Sequence, residues 1–129
     1  MLFKSVFKPK ENVVLPFGPE LLTKNKETQI QIKKDPLRVV NVSAQIFLHV
    51  YFLACMAKRS ACLLKEPILM LQAGRDRVCS NSAMDKVFNE IKSNDKSKKV
   101  YTNSFHDLFV EDELSQIVDD ISEWIKKRV

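Results

Sequence analysis

The stretch EPILMLQAGRD, Glu66 to Asp76, decides how the rest of the chain is read. Pro67 disfavours helix at Glu66 and has no N–H to give a ladder, so the apolar run that starts at Ile68 reads as a strand. Ile68, Leu69, Met70 and Leu71 leave no alternating polar face, the pattern of a strand covered on both sides as in a parallel sheet. Gly74 then supplies the turn. Asp76 follows the strand's C-terminal end, where open α/β sheets gather ligand and catalytic groups.

Outward from this strand the second half alternates. Ser80 or Ser82 can cap a helix running to about Ile91, with Met84, Val87, Phe88 and Ile91 on one face. A polar loop, Ser93 to Ser97, leads to a second strand over Lys98 to Asn103, and Ser104 and Phe105 turn the chain into His106. Leu114, Ile117, Val118, Ile121 and Ile125 mark a closing amphipathic helix, with Lys126, Lys127 and Arg128 at its negative end. Strand, helix, strand, helix is the βαβα order of two parallel strands.

The first half is less regular. Residues 1–19 hold Pro9, Pro16, Gly18 and Pro19 and read as a loop or hinge. Glu20 to Lys26 suits a helical turn, while Gln29 to Lys34 is polar with two isoleucines at period two. Asp35 before Pro36 carries a helix-start signal, so DPLRVV is expected to open a short helix. Ser43 to Arg59 is a long helix that is apolar nearly all round, and so is either buried or turned toward something greasy. Its His49 has no carboxylate within helical reach and reads as a core or pocket-wall residue rather than a catalyst.

Composition narrows the function classes. At 129 residues, with 45% hydrophobic and 29% charged residues, the chain is one soluble domain's worth. Gly18 and Gly74 are the only glycines, which excludes a Gly-rich phosphate loop and a dinucleotide fingerprint. Cys55, Cys62 and Cys79 form no CxxC pair, so free thiols in a reducing cytosol are expected, with no metal and no cofactor. Lysines at 4, 8 and 10 interrupt the N-terminal apolar residues, which argues against a signal peptide. The apolar window Val42 to Ala57, 16 residues with Gln45 and His49 inside it, falls short of the roughly 20 a membrane span needs. Residues 1–65 carry 11 Lys/Arg against 4 Asp/Glu, but the lysines are scattered and few aromatics lie among them, so no nucleic acid partner is expected.

Asp76 and His106 each follow a predicted strand, and parallel neighbours would bring both to one edge. A carboxylate that accepts the imidazole Nδ1 proton is what a nucleophile–His–acid triad requires. Taken alone, the two residues read more readily as a turn aspartate and a surface-loop histidine.

Several words of the sequence carry a resemblance: DPLR at Asp35–Arg38, EPILMLQAGRDRV at Glu66–Val78, FHDLFVEDE at Phe105–Glu113 and DDISEWIKKR ending at Arg128. In these, residues 13–129 resemble the C-terminal half of the α/β-hydrolase superfamily, closest to the monoacylglycerol lipase, lysophospholipase and serine aminopeptidase-like group. The resemblance implies that Asp76 is the triad acid and that His106, with Leu108 and Glu111 after it, is the triad histidine. It also implies that Val13 to Arg59 corresponds to a helical cap over an acyl pocket. The expected fold is α/β, a partial α/β-hydrolase: residues 1–65 a loop and cap segment, residues 66–129 the last two parallel strands with their helices.

One part of the pattern is missing. The group's nucleophile sits in G-x-S-x-G, and none of the ten serines here is flanked that way. The chain therefore reads as a C-terminal portion of a serine hydrolase acting on acylglycerol or lysophospholipid esters, itself inactive. The alternatives are a non-catalytic interaction module and a peptidase or other hydrolase of the same fold. The expected partners are an acyl ester or lipid substrate, engaged only with the nucleophile-bearing half, a membrane surface, and a second copy of the chain. The expected location is the cytoplasm or its membrane periphery.

Overall fold

The computed structural model describes residues 7–129. Residues 1–6, part of the segment read as a loop or hinge, lie outside the described residues. The order is β1 (Asn12–Val14), α1 (Pro19–Leu22), α2 (Lys26–Lys34), β2 (Asn41–Ser43), α3 (Gln45–Ser60), a 3-10 turn at Ala61–Leu63, β3 (Ile68–Ala73), α4 (Asn81–Glu90), β4 (Lys96–Tyr101), a 3-10 turn at Leu108–Val110 and α5 (Leu114–Lys126).

β3 and β4 are parallel, in register from Ile68 opposite Lys96 to Ala73 opposite Tyr101. This is the pairing expected from the βαβα order, with β4 beginning two residues earlier than Lys98. Lys96 belongs to the strand through its pairing with Ile68, and its ammonium turns back to the end of α4, donating to Phe88 O at 2.9 Å and Ile91 O at 2.8 Å. Phe88 O also accepts from the cap Ile91 N at 3.3 Å, and a cation at this end of the helix meets the negative end of its dipole. At the other end of α4, Ser80 is the residue that caps, its Oγ accepting from Ala83 N at 3.3 Å.

The core lies on the face of this pair that α5 covers. Ala73, Tyr101, Leu108 and Ile117 are buried together, with Leu71 and Ile121 packed against them. Tyr101 buries its ring and donates its hydroxyl to Asp120 Oδ2 at 2.9 Å. Burial and that carboxylate push its phenol up to about 12. An unfolded tyrosine ionises near about 10, so the stability Tyr101 contributes is intact below that pH and is lost between roughly 10 and 12. Urea midpoints at pH 8 and 11 should fall further for the unmodified chain than for Tyr101→Phe; equal falls would contradict the assignment.

Three expectations for the first half are corrected. DPLR opens no helix: Asp35 ends α2 in an extended conformation, its carboxylate accepting from Leu37 N at 2.9 Å while Arg38 N bonds Asp35 O at 3.1 Å. An Asx turn uses the same Asp-Pro chemistry as a helix cap, and the residue before proline avoids helix. Gln29 to Lys34 is helical as part of α2, started by Asn25, whose side chain accepts from Thr28 N at 3.1 Å. The loop over residues 1–19 contains β1, which pairs antiparallel with β2.

α3 has no buried residue, and Val50, Tyr51, Phe52, Leu53 and Met56 are exposed. His49 is exposed as well, near Gln45, and is not a core residue of this chain. With the 3-10 turn the apolar helical stretch reaches 19 residues, Gln45–Leu63, enough by length and composition to cross a membrane. The 16-residue window read from sequence stopped short of it.

Candidate active site

Two bonds carry the β3–β4 ladder past the strands. Gly74 N donates to Tyr101 O at 2.8 Å and Arg75 N to Ser104 O at 3.0 Å, so the loops after the two strands run side by side. Gly74 is needed for this approach, since a Cβ there would lie 2.6 Å from Thr102 Cα. Asn81, the first residue of α4, closes the corner by donating to Ala73 O at 3.0 Å and Gly74 O at 3.1 Å.

Asp76 and His106 meet at this edge, Nδ1 of the imidazole lying 2.9 Å from Oδ2 of the carboxylate. The other carboxylate oxygen accepts from Val78 N and Cys79 N, both at 2.8 Å, which fixes the orientation of the group. Asp76 has 6% of its side chain exposed and His106 34%, so the acid is covered and the imidazole opens to solvent. Among the described residues no hydrogen bond engages Nε2 of His106. Nδ1 therefore carries the proton in the neutral ring, and Nε2 presents its lone pair outward.

Burial pushes the Asp76 carboxyl up, but the Cys79 N–H, His106 and the Val78 N–H together hold it below the usual aspartate range. A group depressed in this way stabilises the fold above its unfolded value of about 3.9, and the contribution is lost as pH falls through the folded value. The carboxyl carbon signal of Asp76 should titrate below about pH 3.9 and move upward in His106→Ala, which removes one of the lowering bonds. A midpoint above that value in the unmodified chain would contradict the geometry.

The sequence did not single out Cys79 as a neighbour of this pair. Its sulfur, an Asp76 oxygen and a His106 nitrogen all lie within 4.8 Å of one another. The carboxylate and imidazole already satisfy each other, and burial beside the Asp76 charge pushes the thiol up, so the arrangement suits a proton-sharing pair better than a metal. The remaining thiols, Cys55 and Cys62, are also free.

Comparison with known proteins places the chain in a family. The sequence profile of the serine aminopeptidase (S33) family matches residues 3–113. Monoglyceride lipase of Homo sapiens is 28% identical over 128 residues, covering 91% of this chain and 42% of the relative, and that of Mus musculus is 25% identical with coverages of 92% and 42%. Among solved structures, the monoacylglycerol lipase of Paleococcus ferrophilus superposes with a TM-score of 0.84 at 22% identity, over 95% of this chain and 48% of that one. A soluble variant of the Saccharomyces cerevisiae monoglyceride lipase gives 0.82 at 20% identity, over 98% and 47%. The chain thus spans under half the length of the relatives it matches. On the profile match and the shared fold, it belongs to the serine aminopeptidase family and has part of the α/β-hydrolase fold.

Proposed function

We propose that this chain supplies the acid and the base of an acyl-ester hydrolase, Asp76 and His106, and that the nucleophilic serine comes from residues outside this sequence. The observation that carries the reading is the 2.9 Å contact between Nδ1 and Oδ2, with Nε2 left unengaged at the C-terminal edge of a parallel pair. In such a site the Nε2 lone pair takes the proton of an attacking serine hydroxyl, and the carboxylate stabilises the imidazolium that forms. The similarity to monoglyceride lipases favours a monoacylglycerol as the ester. The outward apolar face of α3 fits the same class, as a cap that meets an acyl chain or the lipid surface it leaves.

Alone, the pair can orient a water, and general-base assistance contributes only about 10²–10⁴-fold. The purified chain is expected to leave an acyl ester intact and to take up no fluorophosphonate. The test joins it with the part of the Paleococcus enzyme that it does not match. Monoacylglycerol hydrolysis by the mixture, above that of either piece and abolished by His106→Ala, is the expected result. Hydrolysis indifferent to His106→Ala, or a folded mixture whose serine stays unreactive, would overturn it. The apolar face of α3 also favours a second reading, a non-catalytic module that docks through its cap. An inert mixture that still binds lipid vesicles would point to that.

A further inference from the structure

The backbone on both sides of His106 is tied, on one side directly and on the other through Glu111, to a part of the chain more than eighty residues away. Asp107 N donates to Leu22 O at 2.9 Å. Phe105 N donates to Glu111 Oε1 at 3.3 Å, and that same oxygen accepts from Lys24 N at 3.0 Å. The Glu111 side chain is completely buried. Its second oxygen has no hydrogen-bond partner among the described residues, and the nearest cation, Lys24 Nζ, stands 3.9 Å away.

A buried carboxylate with one bare oxygen is costly, and such a group is placed to hold something. Here it joins the residue before His106 to the segment that leads into α2. That segment is itself pinned: Thr23 Oγ1 donates to Val110 O at 3.4 Å, and Thr23 O accepts from the buried Gln29 side chain at 2.7 Å. Lys24 Nζ reaches Glu113 at 2.7 Å, outside the clamp proper.

We propose that Glu111 is a positioning residue whose buried carboxylate clamps the His106 loop to Lys24, just before α2, so that the reach of His106 to Asp76 depends on it. The proposal rests on His106 being the base, but it concerns the placement of the ring and is read without turnover. A carboxamide keeps one oxygen for the two N–H groups, so Glu111→Gln should preserve most of the geometry. Glu111→Ala removes the acceptor altogether.

The experiment uses the whole chain and the imidazole proton–nitrogen spectrum. Its two histidines are told apart by His49→Ala. In the unmodified chain the Nδ1–H of His106 should exchange slowly. In Glu111→Ala, with the far-UV circular dichroism unchanged, it should exchange at least about tenfold faster and the Nε2–H tautomer should appear, whereas Glu111→Gln stays near the unmodified chain. A folded Glu111→Ala with the original tautomer and exchange rate would overturn the clamp.

Should Glu111→Ala not fold, amide exchange in the unmodified chain decides. Equal protection of the Lys24, Phe105 and Asp107 amides, lost together with the Nδ1–H signal as denaturant rises, supports the clamp. A freely exchanging Phe105 amide beside a slow Nδ1–H contradicts it. Failure of His106→Ala to affect reconstituted hydrolysis would remove the catalytic reading and leave these spectra as they are.

Discussion

Gly74→Ala is expected to separate the tips of β3 and β4 and to take the Asp76–His106 contact apart. The added methyl carbon would lie 2.6 Å from Thr102 Cα, 2.8 Å from its O and 2.9 Å from its C, and all three are backbone atoms that cannot swing aside. Relief requires the neighbouring strand end to move, which strains or breaks the Gly74–Tyr101 and Arg75–Ser104 bonds. Overpacking of this kind costs about 1–3 kcal/mol, a melting-temperature loss of roughly 5–10 °C for a domain of this size. The site suffers beyond that, since Asp76 directly follows Arg75 and His106 lies two residues past Ser104. Thermal unfolding together with the His106 Nδ1–H signal measures both effects. A variant that melts within about 1 °C of the unmodified chain and keeps that signal would show that the strand tips yield freely.

The larger effect belongs to Asp76→Asn in the reconstituted hydrolase. The carboxylate can only accept, which obliges Nδ1 to carry the proton and leaves Nε2 basic. An asparagine can offer its NH2 to Nδ1 instead, and the ring then holds its proton on Nε2, where a serine hydroxyl has nowhere to send its own. The shape of the site changes little, yet kcat is expected to fall about 10⁴-fold, as substitutions that invert the tautomer do in other triads. His106→Ala should cost at least as much. A loss below about tenfold for Asp76→Asn, with KM unchanged, would mean that the carboxylate does not set the tautomer.

What the sequence disclosed follows from where each signal is local. The run from Ile68 to Leu71 announced its strand because no polar residue interrupts it, and the βαβα order then required a parallel partner. The start of β4 is hidden in the sequence because Lys96, Ser97, Lys98 and Lys99 carry no hydrophobic alternation. Three of its six residues are exposed, so the ladder rather than burial defines the strand. β1 and β2 are three residues each, too short for any periodicity, and exist through pairing alone. At Asp35 the same residue chemistry serves a helix cap or a turn, and the choice depends on α2 ending there.

The same distinction holds at the site. Asp76 and His106 each lie in the loop after a strand, so topology carries both to one edge, but only the resemblance gives them roles there. Glu111 appeared only as a residue of a familiar word, since its role arises from Lys24, 87 positions earlier, and no spacing rule reaches that far. α3 is apolar on faces that none of the described residues covers, so its sequence could state the need for a partner without stating which.

The protonation of His106 in the purified chain tests the central claim without any turnover. A long-range proton–nitrogen spectrum near pH 8 should show Nδ1 protonated and Nε2 bare, with a slowly exchanging Nδ1–H that disappears in Asp76→Asn. A neutral ring protonated at Nε2, or an Nδ1–H signal unchanged by Asp76→Asn, would mean that the chain does not hold an acid and a base ready for a serine.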